Sequence, residues 1–497
     1  MEKNSKVILL YYPMIEKGEV FPNIPWAMLY LERMVRDLNV EVVMMDERLV
    51  KDSATVITKY KDRILFAGVS VMIGHQITGA VAFTETFRGI SDRPVLWGGW
   101  FPTVVPEMIL KDGYADYVCI GQGEVPFRNF TIKQLQGKMA EIEDGISFMA
   151  NGNPVISENK GFLNPDNFGK TDLSRIDINA LIEINGRDPS GRRSVDYMAT
   201  SGCPYACRFC NAVHLFGRKW YPKSVDDIIN DIRFLINSAG VNHIDFRDDN
   251  FFGNRKFILS FCRQLIESGI SITWESNVHL GFLIKNFSDA DMELFYQSGC
   301  RMLRIGAESG DQEVLDLIRK EIKVEDIYAA VKFMKRHQIK TRFLTMSCFP
   351  LNPRQDFRKT VILIGRSLLI NPELDPRLRF FVPVPKTELY ELCVEKGFVL
   401  PDSTREMMDF FTECFTMHYI APWNSRKYLR FLSDYVRFYF NWVRTGHYKR
   451  FPGKMKPFVF ALNMILYPII ALRFKTGWLN FTFEARLFGW LEKYRIN

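Results

Sequence analysis

Two series of short apolar strands, each followed by a helix-length segment, constrain the fold of this 497-residue chain more than any other feature. The strands of the first series are unbroken apolar runs, which are typical of a parallel sheet covered by helices on both faces. They are predicted at residues 7–11, 40–44, 64–69, 95–97 and 117–120. Residues 1–140 are therefore predicted to form an α/β domain with a doubly wound, Rossmann-like sheet.

A second series of strand–helix units begins at residue 195. Its six strands are predicted at residues 195–199, 243–246, 271–274, 302–305, 341–346 and 379–382. Six such units favour a partial (β/α)6 barrel over residues 195–400, with its chemistry at the carboxyl ends of the strands. Residues 141–194 are rich in Asn, Gly and Asp and are predicted to be a linker that carries a short hairpin. Residues 401–497 are predicted to be a helical C-terminal region.

The strand ends of the first domain carry small and polar residues. In a doubly wound sheet the ligand lies beyond the carboxyl ends of the strands, where glycine lets it approach the backbone. One glycine pair alone is more typical of an ordinary turn, but three strand ends with this chemistry favour a ligand-binding edge. The candidate binding residues are Ser70, Gly98, Gly99, Gly121, Gly123 and Glu124.

Three cysteines follow the first strand of the second series within eight residues. Cys203, Cys207 and Cys210 have the spacing C-x3-C-x2-C. A structural zinc site is one interpretation, with His214 as the fourth ligand. However, no second ligand pair follows at zinc-ribbon spacing, and the loop lies at the catalytic end of a barrel strand. Three cysteines on an iron–sulfur cubane would leave one iron open to a substrate or cosubstrate.

This spacing, with the aromatic Phe209 just before the third cysteine, resembles the radical S-adenosylmethionine superfamily. The resemblance implies that Cys203, Cys207 and Cys210 hold a [4Fe-4S] cluster whose open iron binds S-adenosylmethionine. An electron from the cluster then cleaves the sulfonium to a 5'-deoxyadenosyl radical, and Phe209 lies against the adenine. It also implies an external electron donor such as flavodoxin or ferredoxin.

Two later strand ends fit the same resemblance. Asp248 and Asp249 follow the second strand and are similar to the family's acidic segment near the cosubstrate amino group, where a carboxylate bonds well to an ammonium. Glu308 and Ser309 follow the fourth strand and are similar to the segment that meets the ribose and carboxylate of the cosubstrate. Taken singly, each acid is equally typical of a helix N-cap.

The sequence departs from the family pattern at two barrel loops. Lys386 occupies the place of the family's usual glycine after the sixth strand, and Cys348 begins the turn after the fifth. Both are interpreted as features of the substrate pocket. For Cys348 a packing role is the more common alternative, because buried cysteines usually act as small apolar residues.

The glycine segments of the first domain, together with Thr103 and ahead of the cysteine loop, resemble the cobalamin-binding subgroup of this superfamily over most of residues 1–400. The resemblance implies that cobalamin is bound by the candidate residues of the first domain, over the barrel mouth. The Asp-x-His-x-x-Gly signature of other cobalamin carriers is absent. His75 is a candidate for the lower face of the cobalt, although a surface histidine is its more common role.

The resemblance implies a C-methyltransferase, in which a substrate radical takes a methyl group from methylcobalamin. The favoured target is an unactivated carbon of a hydrophobic substrate. One alternative is a radical oxidative cyclase or another radical rearrangement on a porphyrin or lipid, as in the anaerobic cyclase of bacteriochlorophyll synthesis. An alternative from another class is a non-catalytic iron–sulfur or zinc module that senses redox state. RNA methylation fits the basic tail but is the weakest of these hypotheses, and it predicts steeply salt-dependent RNA binding.

Positive charge is concentrated at the C-terminus. The net charge is +8. Residues 426–497 contain 14 Lys or Arg against three acids and so carry +11, which leaves about –3 for the rest of the chain. This charge distribution disfavours nucleic acid as a partner of residues 1–425. The apolar stretch 457–472 spans ~24 Å as a helix, less than a ~30 Å hydrocarbon core, which favours a buried helix pair or peripheral membrane contact over a spanning helix. The tail's aromatic residues include Tyr435, Phe438, Phe440, Trp442, Trp478 and Trp490.

Cysteine usage indicates the compartment. Nine cysteines in 497 residues are too few for a disulfide scaffold, and no N-terminal signal pattern is recognisable. The expected location is the cytoplasm, with peripheral attachment to the inner face of the membrane as an extension of that expectation.

Overall fold

The computed structural model of the protein describes residues 5–14, 23–138, 144–158, 161–184, 190–415, 421–425, 453–478 and 484. These residues form two large sheets and the helices that cover them. Most of the basic aromatic tail, including Tyr435, Phe438, Phe440, Trp442 and Trp490, lies outside the described residues, whereas Trp478 lies within them.

The first sheet has seven strands. They are β1 (Lys6–Tyr12), β2 (Val40–Asp46), β3 (Ile64–Ser70), β4 (Val95–Gly98), β5 (Tyr117–Cys119), β6 (Ile146–Ala150) and β7 (Asn153–Val155), in the order β2-β1-β3-β4-β5-β6-β7. The first five are parallel, and β6 and β7 extend the β5 edge in antiparallel fashion. The hairpin predicted in the linker therefore adds to this sheet. The strand order reverses between β1 and β3, which is where doubly wound sheets bind ligands.

The second sheet is an open, all-parallel sheet of six strands. They are β8 (Ser194–Tyr197), β11 (His243–Phe246), β12 (Thr273–Val278), β13 (Cys300–Glu308), β14 (Lys340–Ser347) and β15 (Asp375–Phe380), with β8 and β15 at the two edges. A separate two-stranded ribbon pairs β9 (Thr200–Gly202) with β10 (Trp220–Pro222). The doubly wound domain followed by a six-stranded partial barrel is confirmed.

Seventeen helices and one longer apolar helix are found among the described residues. The helices before the barrel are α1 (Trp26–Val35), α2 (Ser53–Tyr60), α3 (Gln76–Arg88), α4 (Trp100–Val104), α5 (Pro106–Lys111), α6 (Glu124–Gln136) and α7 (Ile178–Glu183). Those within it are α8 (Ala212–Phe216), α9 (Val225–Ala239), α10 (Arg255–Glu267), α11 (Leu280–Asn286), α12 (Asp289–Gln297), α13 (Gln312–Leu317), α14 (Val324–Lys335), α15 (Pro353–Ile370) and α16 (Tyr390–Glu395). They are followed by α17 (Thr404–Phe415) and the apolar helix (Lys456–Thr476).

Local sequence determines where the barrel helices begin and end, as α9 illustrates. The Ser224 side chain accepts a hydrogen bond from the Asp227 backbone N–H at the start of α9, and Gly240 ends the helix with φ of 61°. The buried residues between these caps recur at helical spacing and face the sheet: Ile228, Ile229, Ile232, Leu235 and Ala239.

The first sheet is covered on both faces, as its apolar strands predict. One face packs against α2, α3 and α4, and the other packs against α1 and α6. Helix α17 also lies on the first of these faces, through the buried Met407 and Phe411. The Thr404 backbone N–H donates to Asp112, so the chain returns from the barrel to the N-terminal domain.

The apolar helix packs along α15 and is only partly covered. Val459, Leu466 and Phe474 are buried, whereas Met464 and Ile465 are 63% and 66% exposed. Among the described residues this is the one helix long and apolar enough to cross a membrane. Pro468 lies inside it, as the sequence shows, but does not end it.

Helix α15 makes room for the apolar helix at Gly365, and this gives a testable prediction. A Cβ at Gly365 would overlap the ring of Phe474. We expect Gly365→Ala to lower the free energy of unfolding by about 1–3 kcal/mol, because overpacking forces the two helices apart. Urea unfolding measures the change. Gly453→Ala is the control, since nothing lies within 4 Å of its added Cβ; an equally stable Gly365→Ala protein would contradict this packing.

Candidate functional site

The cysteine loop begins where β9 ends and is fixed by backbone hydrogen bonds on both sides. Gly202, at the end of β9, has φ of 84°, which turns the chain into the loop. The Arg208 N–H donates to the Ile318 carbonyl (3.1 Å), and the Leu389 N–H donates to the Arg208 carbonyl (3.0 Å). The loops after β13 and β15 therefore hold the cysteines in place.

The three thiols are enclosed in this loop. Cys207 is buried, and Cys203 and Cys210 are half-buried. Burial raises the pKa of Cys203 to about 11 and that of Cys210 to about 12, so these side chains are thiols until a positive metal centre favours the thiolate. Three thiols in one short, pinned loop suit a cluster that presents several irons. In the described part of the chain, no three His, Cys, Asp or Glu side chains are arranged to hold a single metal ion.

Other residues of the loop region have structural contacts. Phe209 is half-buried and packs edge-on against Phe349, with ring centroids 6.2 Å apart. Tyr205 stacks on His279 at 3.8 Å. His214, the ligand of the zinc interpretation, is half-buried, and burial lowers its pKa.

Asp248 and Asp249 lie at the carboxyl end of β11, beside the loop. Asp248 is fully buried, and its Oδ1 accepts a hydrogen bond from the Thr200 backbone N–H, whereas its Oδ2 has no hydrogen-bond partner. Burial raises the pKa of Asp248 to about 7. Asp249 is solvent-accessible and accepts a hydrogen bond from the Gly202 backbone N–H. An orphaned buried carboxylate oxygen fits an ammonium-bearing ligand such as S-adenosylmethionine.

Glu308 is paired with a lysine that the sequence analysis does not identify. The Lys320 Nζ lies 2.6 Å from Glu308 Oε1, and both side chains are about nine-tenths buried. Burial alone would lower the pKa of Lys320, but the Glu308 carboxylate beside it holds this pKa above its usual value. Lys320 therefore places a positive charge near the cysteine loop.

Gly306 provides the space for this ion pair. A Cβ at Gly306 would lie 2.6 Å from Glu308 Oε1 and 2.9 Å from Lys320 Nζ. Glu308 itself has φ of 57°, an unusual conformation for a residue other than glycine. Such strain is typical of functional sites.

Ser309 and Cys348 are buried and share one hydrogen-bond partner. Ser309 is fully buried and its hydroxyl donates to Asp356 (2.6 Å). Cys348 is also buried, and its backbone N–H donates to the same carboxylate (2.7 Å). Both residues therefore contribute to an internal network around Asp356, directly after the carboxyl ends of β13 and β14.

A cleft of about 1010 Å³, part of it open to solvent, lies between the first sheet and the barrel mouth. Ser70, Gly98, Gly99, Gly121, Gly123 and Glu124 all line it. Met198, Ser201 and Phe216 line it from the barrel side. The edge predicted to bind cobalamin and the strand that leads into the cysteine loop therefore share one cavity.

Close packing requires glycine at two positions that line this cleft. Gly99 has φ of 102°, and a Cβ there would lie 2.8 Å from the Val71 carbonyl oxygen. A Cβ at Gly68 would lie 2.8 Å from Leu10. The five glycines that line the cleft let a large, flat ligand such as a corrin approach the backbone.

Thr103 and Glu124 act on the cleft in different ways. Thr103 is buried behind the lining, where its hydroxyl donates to the Gly99 carbonyl (2.8 Å) and accepts from the Gly121 N–H (3.0 Å), so it links two glycine loops. Glu124 lines the cleft and lies 3.4 Å from Arg33; burial raises its pKa, and Arg33 opposes that shift. His75 is not among the lining residues but precedes α3.

The fold and the site together define a class of protein. It has three cysteines in one loop at the mouth of a partial barrel and a glycine-lined cleft at the edge of a doubly wound sheet, an arrangement suited to an enzyme with two cofactors. The comparisons with known proteins agree with this class. Residues 197–364 match the radical SAM superfamily, and residues 20–131 match the B12 binding domain.

The chain is therefore a radical S-adenosylmethionine enzyme with a cobalamin-binding domain, and its cofactors are a [4Fe-4S] cluster, S-adenosylmethionine and cobalamin. It is 24% identical to the uncharacterized methyltransferase PH0819 of Pyrococcus horikoshii, over 77% of this chain and 81% of the relative. It is 20% identical to the anaerobic magnesium-protoporphyrin IX monomethyl ester cyclase of Synechocystis, over 66% of this chain and 63% of the relative.

A solved structure has the same fold. The radical S-adenosylmethionine methyltransferase TsrM from Kitasatospora setae, solved with cobalamin and a [4Fe-4S] cluster bound, superimposes with a TM-score of 0.62 at 16% identity. The superposition covers 80% of this chain and 76% of TsrM. At this identity the likeness concerns the fold.

The buried pair of Glu308 and Lys320 gives a prediction for stability. We expect Lys320→Met to lower the free energy of unfolding by about 3–5 kcal/mol, because it leaves Glu308 buried without a partner. Adding Glu308→Gln should restore much of that loss, since the double variant buries no charge. Urea unfolding of the four proteins measures the coupling, and additive losses would show that the two side chains do not interact.

Proposed function

We propose that the protein methylates an unactivated carbon atom of a hydrophobic substrate. The observation that carries this proposal is the shared cleft, which is lined by glycine loops of the cobalamin-binding domain and by Met198, Ser201 and Phe216 next to the cysteine loop. A substrate in this cleft would lie between the two cofactors. Bound there, the cofactors supply reductive cleavage of S-adenosylmethionine and a cobalt-borne methyl group.

The residues of the chain would bind, orient and enclose the reactants. We assign the cluster to Cys203, Cys207 and Cys210, and the cosubstrate amino group to Asp248 with Asp249. Glu308, held by Lys320, is assigned to the ribose, and Phe209 to the adenine. The barrel side of the cleft contributes apolar side chains, which suit a hydrophobic substrate and exclude water from radical chemistry.

The division of the chain is part of the same proposal. Residues 1–140 would bind cobalamin, residues 195–400 would carry the radical chemistry, and residues 141–194 would connect them. Residues 401–497 would form the basic, aromatic C-terminal region. An external one-electron donor such as flavodoxin or ferredoxin would reduce the cluster.

Nucleoside products test the reaction. The protein is reconstituted anaerobically with iron, sulfide and cobalamin, then given S-adenosylmethionine, a reductant and a lipid or porphyrin extract. We expect both 5'-deoxyadenosine and S-adenosylhomocysteine. Cys207→Ala should reduce deoxyadenosine to background, whereas Cys262→Ala, which removes a buried thiol from α10, should retain it. Deoxyadenosine alone would favour a radical cyclase or rearrangement, and neither nucleoside, with the cluster intact, would favour a redox-sensing module.

We also propose that the apolar helix contacts an anionic membrane surface from the cytoplasm. Its uncovered face presents Met464 and Ile465, and the exposed Lys454, Lys456 and Lys475 lie at its two ends. Apolar side chains flanked by lysines are typical of interfacial helices, and each lysine near an anionic surface contributes about 1 kcal/mol. A hydrophobic substrate would then be taken up close to where it dissolves.

Co-sedimentation with vesicles of phosphatidylglycerol and phosphatidylcholine measures this contact. We expect the wild-type protein to sediment with them, and Met464→Glu combined with Ile465→Glu to weaken binding at least tenfold by placing charge on the inserted face. Val399→Glu is the matched control, because Val399 is 77% exposed and lies off the helix. If the helix variant sedimented like the wild type, membrane contact through this face would be excluded.

A further inference from the structure

One segment of the linker forms part of the wall of the cleft, and we call it the strap. It comprises residues 161–169. Phe162 and Pro165 of the strap line the cleft, together with the glycine loops of the first domain and with Met198 and Phe216 on the barrel side. The strap therefore contacts the same space that the two domains enclose.

Hydrogen bonds attach the strap to the first domain. The Gln122 side chain donates to the Leu163 carbonyl (3.1 Å) and accepts from the Leu163 N–H (2.8 Å). At the other end of the strap, Arg33 donates to the Gly169 carbonyl (2.9 Å). Gln122 lies in the middle of the glycine segment 121–123, which lines the cleft. The strap is thus fastened to the edge that is predicted to bind cobalamin.

The strap is also attached to the barrel domain. The Lys219 Nζ donates to the Phe162 carbonyl (2.8 Å). The Phe162 ring packs edge-on against Phe216, with ring centroids 4.7 Å apart, and lies 5.9 Å from Tyr221. Phe216 belongs to α8, which begins two residues after Cys210. The strap therefore connects the cobalamin edge to the helix that follows the cysteine loop.

A glycine lies at each end of the strap. Gly161 and Gly169 have φ of 92° and 82°, in the left-handed region that favours glycine. A Cβ at either position would meet nothing within 4 Å. Close packing therefore does not explain these two glycines. Their backbone conformation does, and the open space around them leaves room for that conformation to change.

Few contacts hold the strap between these glycines. Phe162 and Pro165 are buried, whereas Leu163 is 52% exposed and Asp166 and Asn167 are also exposed. A segment with few buried apolar contacts and solvent-exposed hydrogen bonds opens at a lower cost in free energy than a domain core does. The strap can therefore open while both domains stay folded.

The remaining walls of the cleft are rigid by comparison. Leu10, Met28, Leu96 and Phe127 line the cleft and belong to the hydrophobic core of the first domain. Loops that close over a ligand commonly limit its entry and release. In this cleft the strap is the loop that combines such a position with weak attachment and a glycine at each end.

We propose that the strap is a gate for cobalamin. It turns about Gly161 and Gly169 to admit the cofactor, and in its closed form it retains the cofactor in the cleft. The opening of the strap then sets the rates of both binding and release. This inference rests on the proposed placement of cobalamin in the cleft.

Variants that weaken the attachment of the strap test the gate. Lys219→Met removes one hydrogen bond, and Lys219 does not itself line the cleft. Adding Gln122→Ala removes both hydrogen bonds to Leu163. Lys111→Met is the matched control, because Lys111 is an exposed lysine of α5 outside the cleft.

The probe is hydroxocobalamin, added to the full-length protein. Its association is followed by stopped-flow absorbance, and its release is followed after addition of a scavenger protein that binds free cobalamin tightly. Hydrogen exchange of the strap amides reports opening directly.

We expect association and release to accelerate by the same factor, about threefold in Lys219→Met and about tenfold in the double variant. The Kd should stay within about twofold of the wild-type value, because the same attachments are lost in the free and in the loaded protein. Exchange of the strap amides should be faster in Lys219→Met. Lys111→Met should match the wild type in every measurement.

Unchanged rates in the double variant would overturn the proposal. Faster release with unchanged association would also overturn it, because the strap would then be a binding contact and not a gate.

Gly123→Val separates the gate from the placement of cobalamin. It adds a side chain next to Cys119 and Leu31, which also line the cleft. If this variant bound hydroxocobalamin as tightly as the wild type, cobalamin would lie elsewhere, and the gate would fall with its placement. Gated binding without formation of S-adenosylhomocysteine would support the gate and contradict only the proposed methylation.

Discussion

A buried arginine inside the partial barrel holds together the strands that carry the site. Arg304 of β13 is 4% exposed and donates to Asp245 (2.5 Å), the Phe246 carbonyl (2.9 Å), Glu275 (3.1 Å) and Asn277 (2.7 Å). These partners lie on β11 and β12, so one side chain ties three neighbouring strands. A buried guanidinium is stable only when all its donors are satisfied, which fixes the strands relative to one another. Asp248 lies two residues after β11 and Glu308 is the last residue of β13, so both take their positions from this arrangement.

The Arg304 network also explains why the sequence pattern predicts some strands more accurately than others. The five parallel strands of the first sheet are covered on both faces, and their predicted bounds differ from the observed ones by at most two residues. In the barrel, inward-facing charges interrupt the apolar pattern. Strand β12 spans Thr273–Val278 instead of the predicted 271–274, because Glu275 and Asn277 face Arg304. Strand β15 spans Asp375–Phe380 instead of 379–382, because Arg377 and Arg379 interrupt its apolar pattern.

The spacing of sequence motifs predicts the cysteine loop and the acids at the strand ends. It does not predict which side chains distant in sequence form ion pairs. Lys320 lies between Arg319 and Glu321, in a polar stretch that looks like ordinary surface. Only the turn after α13 brings it next to Glu308, into the space that Gly306 leaves. Thr103 was predicted from resemblance, and its position behind the lining indicates that it acts by linking the Gly99 and Gly121 loops.

Asp248 shows how such a site is prepared for a cation at some expense of stability. Its pKa in the folded chain is about 7, above the usual 3.8, so the folded state binds its proton more tightly than the unfolded chain does. Any stability that this proton contributes is therefore complete below pH 3.8 and is lost as the pH rises towards 7, where the folded chain must hold an unpaired buried carboxylate. An ammonium group placed at the free Oδ2 would favour the charged form and release the proton near neutral pH. Binding of a cationic cosubstrate would thus offset the free-energy cost of the buried charge that the unliganded fold bears. Such a loss of stability in favour of activity is expected of a preorganised site.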